Sequence, residues 1–238
     1  MKYIPDDTGR FHRRPYFERG ELDTDCERII SEFLQDVHGE VRFPVRTDDL
    51  TKLVERDTED LDLYADLSAE GPNVEGVTGF TPGQRPRVRI SRALSEAPWA
   101  ENRLRTTLTH EYGHVRFHTF VWELDSQNID LFGDRGPREG ARCNRDTMIN
   151  APARDWMEWQ AGYISGALLM PIGPVNRLVA DFRLERGALG RLNVDSDLGL
   201  AIIGAVSETF AVSEDAARVR LLQLDALTLG DPGLHLFS

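Results

Sequence analysis

Thr107-Leu108-Thr109-His110-Glu111-Tyr112-Gly113-His114 sets two histidines four residues apart, with a glutamate directly after the first. On an α-helix, residues four apart differ by about 6 Å in rise and face the same side, so two imidazoles at this spacing converge on one ion. Zinc–nitrogen bonds of about 2.0–2.1 Å suit that convergence. Glu111 lies at an angle that keeps its carboxylate beside the ion. There it can take a proton from metal-bound water, whose pKa falls to about 7. Leu104, Leu108 and Val115 recur at helical spacing, predicting one helix from about Trp99 to Phe120. His110 and His114 are therefore expected as metal ligands and Glu111 as general base.

A catalytic zinc takes a third protein ligand and keeps a fourth position open. A further histidine six residues after His114 would complete one common pattern, but Phe120 stands there. Glu123, Asp125, Asp130 and Glu139 fall in the stretch 121–153, where Gly133, Gly136, Pro137, Gly140 and Pro152 leave little periodicity. Glu158 is better placed. Asp155 reads as the N-cap of a helix that runs to Met170 and is stopped by Pro171, which puts Glu158 in its first turn. Ala161, Gly162, Ser165 and Gly166 share its side of the helix, and small residues let two backbones approach closely. Gly113 gives the same relief on the histidine helix, at a propensity cost of about 1 kcal/mol relative to Ala. The expected ligand set is His110, His114 and Glu158 around Zn2+, with Mn2+ also acceptable to two imidazoles and a carboxylate. His118, one turn on, is expected to support or pack against this set. Tyr112, Tyr163 and the thiol Cys143 are left without a role.

Outward from the site, Thr24 and Glu27 read as a capping box for a helix carrying Ile29, Ile30, Phe33, Leu34 and Val37 and ending at Gly39. A short helix with Leu50, Leu53 and Val54 follows Thr47. Val74 to Phe80 and Val88 to Ile90, separated by Pro82-Gly83 and Pro86, predict strands of a small sheet. Helices are expected near 173–185, 195–210 and 214–227, the last capped by Ser213. The fold class is thus α+β, mostly helical with a small sheet. An irregular arm over 1–20, a catalytic domain over 21–172 and a helical part over 173–238 are expected. Arg218 and Arg220 on the last helix are assigned to packing, since Glu214 and Asp215 beside them oppose phosphate contact.

Composition narrows the function classes. The 238 residues carry a formal net charge of -12, which weighs against direct nucleic-acid binding. With 40% hydrophobic residues the chain is too apolar for a disordered protein. Cys26 and Cys143 fit neither a disulfide framework nor a CxxC zinc spacing, and free thiols suit a reducing compartment. Met1 to Tyr16 has no apolar run behind its arginines, and no stretch is apolar enough to span a bilayer. A cytoplasmic location without membrane contact is the expectation.

The two motifs together resemble the ImmA/IrrE family of bacterial metallopeptidases, whose pattern is Thr-Leu-x-His-Glu-x-Gly-His, then Glu-x-x-Ala, then Leu-Leu-Met-Pro. Here these stand as Thr107 to His114, as Glu158-Trp159-Gln160-Ala161, and as Leu168-Leu169-Met170-Pro171. Phe210-Ala211-Val212-Ser213 with Arg218, Arg220 and Leu221 is similar to the family's C-terminal helices. Gly162 stands where the family often has Asn, and Ile164-Ser165 where Phe-Ala is usual. The connection between the motifs is longer than is common, which suggests an added lid or recognition loop containing Trp122, Phe132 and Cys143. The resemblance implies a zincin-like catalytic domain, zinc on the two histidines and the glutamate, and cleavage of a helix-turn-helix repressor in stress or mobile-element regulation. Two other classes fit the same residues: a non-proteolytic, metal-stabilised regulatory module contacting a repressor or DNA, and a toxin-like effector with a broader protein substrate. Glu111 weighs against the module, because a purely structural site needs no base.

Overall fold

A computed structural model of the protein describes residues 2–81, 83–124, 141–144, 155–188 and 190–230, with the backbone alone described over 141–144. Strands β1 (Lys2–Pro5) and β2 (Arg13–Tyr16) pair antiparallel, so the N-terminal stretch expected to be irregular is a two-stranded sheet. The Asp6 carboxylate organises the connection, accepting from the N–H of Phe11 at 2.9 Å and from Trp156 Nε1 at 3.1 Å. No local alternation announces these strands, which is why the sequence reading missed them.

Helix α1 spans Arg19–His38 and so begins before Thr24, which is not its cap. Glu21 instead reaches back to accept from the Glu18 N–H at 2.9 Å, a reciprocal closure of the kind that satisfies orphan donors at helix starts. The stop at Gly39 is as expected: its φ of 72° is the left-handed conformation glycine supplies without steric cost. Helix α2 (Thr47–Asp57) buries Leu50, Leu53 and Val54.

The main sheet holds β3 (Asp60–Ala65), β4 (Val74–Gly79), β5 (Arg87–Ser91) and β6 (Ala141–Asn144) in the order β3-β5-β4-β6. β3 runs parallel to β5, while β4 is antiparallel to both β5 and β6. Strand β5 alternates, with Val88 and Ile90 fully buried, whereas all residues of β4 from Val74 to Thr78 are buried. A strand covered on both faces has structure on each side, and on one side of β4 that structure is the histidine helix. The single turn α3 (Arg92–Ser95) leads to that helix, α4 (Glu101–Phe117), and a further helical stretch α5 covers 119–124. Helix α6 is Trp156–Leu169.

Contacts divide the chain into two compact units, residues 1–22 with 46–165 and residues 23–45 with 166–238. The expected division was contiguous along the chain; the observed one puts residues 23–45 with the C-terminal helices. Side chains explain this. In the second unit, helices α7 (Ile172–Arg186), α8 (Asp197–Phe210) and α9 (Glu214–Gln223) are joined by short paired strands β7 (Leu192–Asn193) and β8 (Leu227–Thr228). Glu27 accepts from the Gly173 N–H at 2.8 Å, at the start of α7, where a carboxylate meets unpaired amides. Arg220, fully buried, stands 2.7 Å from Asp23 and donates to the Met170 carbonyl at 3.0 Å. Arg220 is therefore a packing residue, as assigned. Arg220→Met fills its space but leaves the Asp23 carboxylate buried without its guanidinium. A loss of about 3 kcal/mol is expected, the lower end for breaking a buried pair, read from urea unfolding.

No helix among the described residues is long and apolar enough to cross a membrane. The architecture is mixed α+β and mostly helical with small sheets, in agreement with the class expected from the sequence.

Candidate metal centre

His110, Glu111, His114 and Glu158 all lie in the first unit. Helix α4 carries His110, Glu111 and His114 on consecutive turns, and each is fully buried. Helix α6 carries Glu158 in its first turn, where the Asp155 carboxylate accepts from the Glu158 N–H at 3.4 Å. The helices approach closely because of small residues. A Cβ added to Gly113 would lie 3.3 Å from the Ala161 Cα and 3.3 Å from Ile164 Cγ2. Thr109 and Ser165 complete the crossing with hydroxyls 2.8 Å apart. Gly166, counted with these residues in the sequence reading, lies against Arg220 and Gln223 in the second unit instead.

This crossing brings His110, His114 and Glu158 together, with one ligand atom from each lying within 4.8 Å of the others. His110 Nε2 is 3.0 Å from Glu158 Oε2, and His114 Nε2 is 3.3 Å from Glu158 Oε1. Donor atoms around a tetrahedral zinc stand roughly 3.3 Å apart, so the spacing fits an ion of that size. The donor set fits too. Two imidazole nitrogens and a carboxylate, all buried and turned toward one another, are donors that a divalent cation accepts together. The group can hold a metal ion; nothing in its geometry selects which one.

Electrostatics in the metal-free protein point the same way. Burial raises the Glu158 pKa, but the charges and hydrogen bonds of His114 and His110 outweigh it and hold the carboxylate well below its ordinary range. Burial lowers the His114 pKa, and Glu158 more than reverses that, so this ring keeps a proton more tightly than an ordinary histidine. Burial also dominates at Glu111 and raises its pKa against the opposing pull of His114, His110 and Thr78.

Glu111 is held by two residues that sequence reading did not single out. Thr78 Oγ1 donates to Glu111 Oε2 at 2.5 Å, and a Cβ on Gly76 would fall 2.9 Å from Glu111 Cδ. Gly76 and Thr78 are two apart on β4 and so share the face that meets α4. The other carboxylate oxygen, Oε1, is buried with no hydrogen-bond partner among the described residues. A lone glycine inside the run Val74 to Thr78 was the available signal, since glycine within a strand marks close approach of another group.

The remaining candidates resolve as follows. The Tyr112 hydroxyl donates to Asp57 Oδ2 at 2.6 Å. Tyr163 is buried against Trp159. Trp122, expected in a lid, belongs to a core cluster with Phe11, Val121, Trp156 and Met157, and stacks on Phe80. Glu123 is exposed on α5. Asp125, Asp130, Phe132 and Glu139 lie outside the described residues, as do the side chain of Cys143 and most of the expected lid. Compared with known proteins, the chain matches no protein-family model and no curated protein.

Proposed function

We propose that the protein is a zinc-dependent endopeptidase of zincin-like fold, similar to the ImmA/IrrE family, and that it cleaves a helix-turn-helix repressor in the cytoplasm. The observation that carries this reading is Glu111: a buried carboxylate, one residue from a candidate metal ligand, with one oxygen pinned by Thr78 and the other without a hydrogen-bond partner among the described residues. A structural ion needs two imidazoles and a carboxylate but no such neighbour. His110, His114 and Glu158 would hold the ion. A divalent ion there supplies Lewis acidity, polarising a peptide carbonyl and lowering the pKa of water.

The chain's own residues do the rest. Glu111 accepts the proton of the attacking water at Oε1 and passes it to the leaving amine, with Thr78 fixing which oxygen is free. In the metal-free protein burial raises its pKa, the direction that lets a base hold and then return a proton. The net charge of -12 favours a basic partner, and DNA-binding repressors present basic faces.

The test is direct. Purified protein loaded with zinc is incubated with a candidate repressor, and the products are mapped by mass spectrometry. Two discrete fragments, absent when a chelator is included, are the expected result. A stable complex without fragments would support the non-proteolytic module instead.

A further inference from the structure

Beyond the ligands lies a chain of hydrogen bonds that has only one possible direction. His114 Nδ1 is 2.9 Å from His118 Nδ1, His118 Nε2 is 3.1 Å from Gln160 Oε1, and Gln160 Nε2 donates to the Pro15 carbonyl at 3.2 Å. His114 and His118 are fully buried and Gln160 nearly so.

The far end fixes the direction. Pro15 offers a carbonyl there, which only accepts, so the amide end of Gln160 must face it. The opposite amide orientation would set two carbonyl oxygens against each other. Gln160 Oε1 therefore faces His118, and only a proton on His118 Nε2 can satisfy it. A neutral His118 protonated at Nε2 has a bare Nδ1, and among the described residues the donor that meets it is the Nδ1–H of His114. With one proton fixed at Nδ1, the only ring nitrogen of His114 that can give up a proton and offer a lone pair to an ion is Nε2, the atom 3.3 Å from Glu158 Oε1. Trp156, edge-on to His118 at 5.5 Å between ring centres, holds the middle ring in place. His110 has no such support: its Nδ1 is buried without a hydrogen-bond partner among the described residues.

We infer that His118 and Gln160 are positioning residues forming, with the Pro15 carbonyl, a one-way hydrogen-bond relay that presents Nε2 of His114 to the metal ion. This inference rests on the metal-site reading above. It assigns the β2 backbone a part in metal binding and makes His114 an anchored ligand. Outer partners that orient a ligand imidazole in this way are worth about 10- to 100-fold in metal affinity.

The first measurement needs no variant and no metal. Long-range proton–nitrogen correlation spectra of the histidine rings in the metal-free protein should show His118 protonated at Nε2 alone and His114 carrying a proton at Nδ1. The second is zinc affinity by competition with a chromophoric chelator. Gln160→Leu, which keeps the shape and removes the acceptor, should bind zinc about 10- to 100-fold more weakly. Gln160→Glu, which can accept from His118 with one oxygen and, kept neutral by burial, donate a proton on the other to the Pro15 carbonyl, should stay within a few fold of the parent. A proton found at Nδ1 of His118, or parent-like affinity in Gln160→Leu, overturns the relay while leaving the peptidase reading standing. A parent protein that takes up no zinc overturns both.

Discussion

Replacing Glu111 with Gln is expected to leave zinc uptake within a few fold of the parent while cutting repressor cleavage by about 10³- to 10⁴-fold, the upper range for loss of a general base. The substitution is nearly isosteric, and the geometry says why the fold should tolerate it. A Gln carbonyl oxygen can accept from Thr78 as Oε2 does now, and the amide can occupy the position of Oε1. Gly76 leaves the same space for either side chain. The ligand atoms of His110, His114 and Glu158 are untouched. What changes is proton affinity: a neutral amide cannot take up the proton that a carboxylate of raised pKa accepts. Removing one buried negative charge beside His110 and His114 should weaken the ion's hold only slightly, because Glu158 stays in place. Cleavage rate and zinc affinity must therefore be measured on the same preparation. Parent-like cleavage would remove Glu111 from the chemistry. Loss of zinc together with cleavage would mean that the residue supports the site and not the reaction.

The sequence made the ligand positions legible because helix periodicity is local. A four-residue spacing fixes which side chains share a face, and small residues around Glu158 and at Gly113 announce a close crossing. What holds those residues in place depends on pairings between distant segments. Thr78 looks like any β-branched strand residue until β4 is laid on α4. Gln160 has no visible role until the Pro15 carbonyl is known to lie 3.2 Å from its amide, across 145 residues of sequence. Thr24 shows the opposite failure: a good local capping signal is overridden because α1 begins earlier at Arg19, and Glu27 serves the start of α7 instead. Elements with strong internal periodicity, such as α2 and β5, were readable. The β1–β2 pair was not, since side chains far along the chain fix it.

The strongest test of the ion-binding group itself is Glu158→Gln, expected to weaken zinc binding by roughly 10³-fold. Structural zinc sites bind with about 10–16 kcal/mol, which shared among three or four ligands gives roughly 2.5–5 kcal/mol for each. The pH dependence should change as well, and its sign follows from the charges. In the parent, Glu158 holds a proton on His114 more tightly than burial alone would allow, and the ion must displace that proton. Zinc affinity should therefore begin to fall while the pH is still above about 6.5, the ordinary histidine value, by about one decade per pH unit for one proton. With Gln at 158 the carboxylate is gone and burial dominates at His114, so its pKa drops. The residual affinity should then stay flat to lower pH before it declines. Weak binding with an unmoved pH profile would show that His114 and Glu158 do not act as a coupled pair. Parent-like affinity would show that the carboxylate is no ligand, leaving two imidazoles without the third donor that a zinc site of this kind requires.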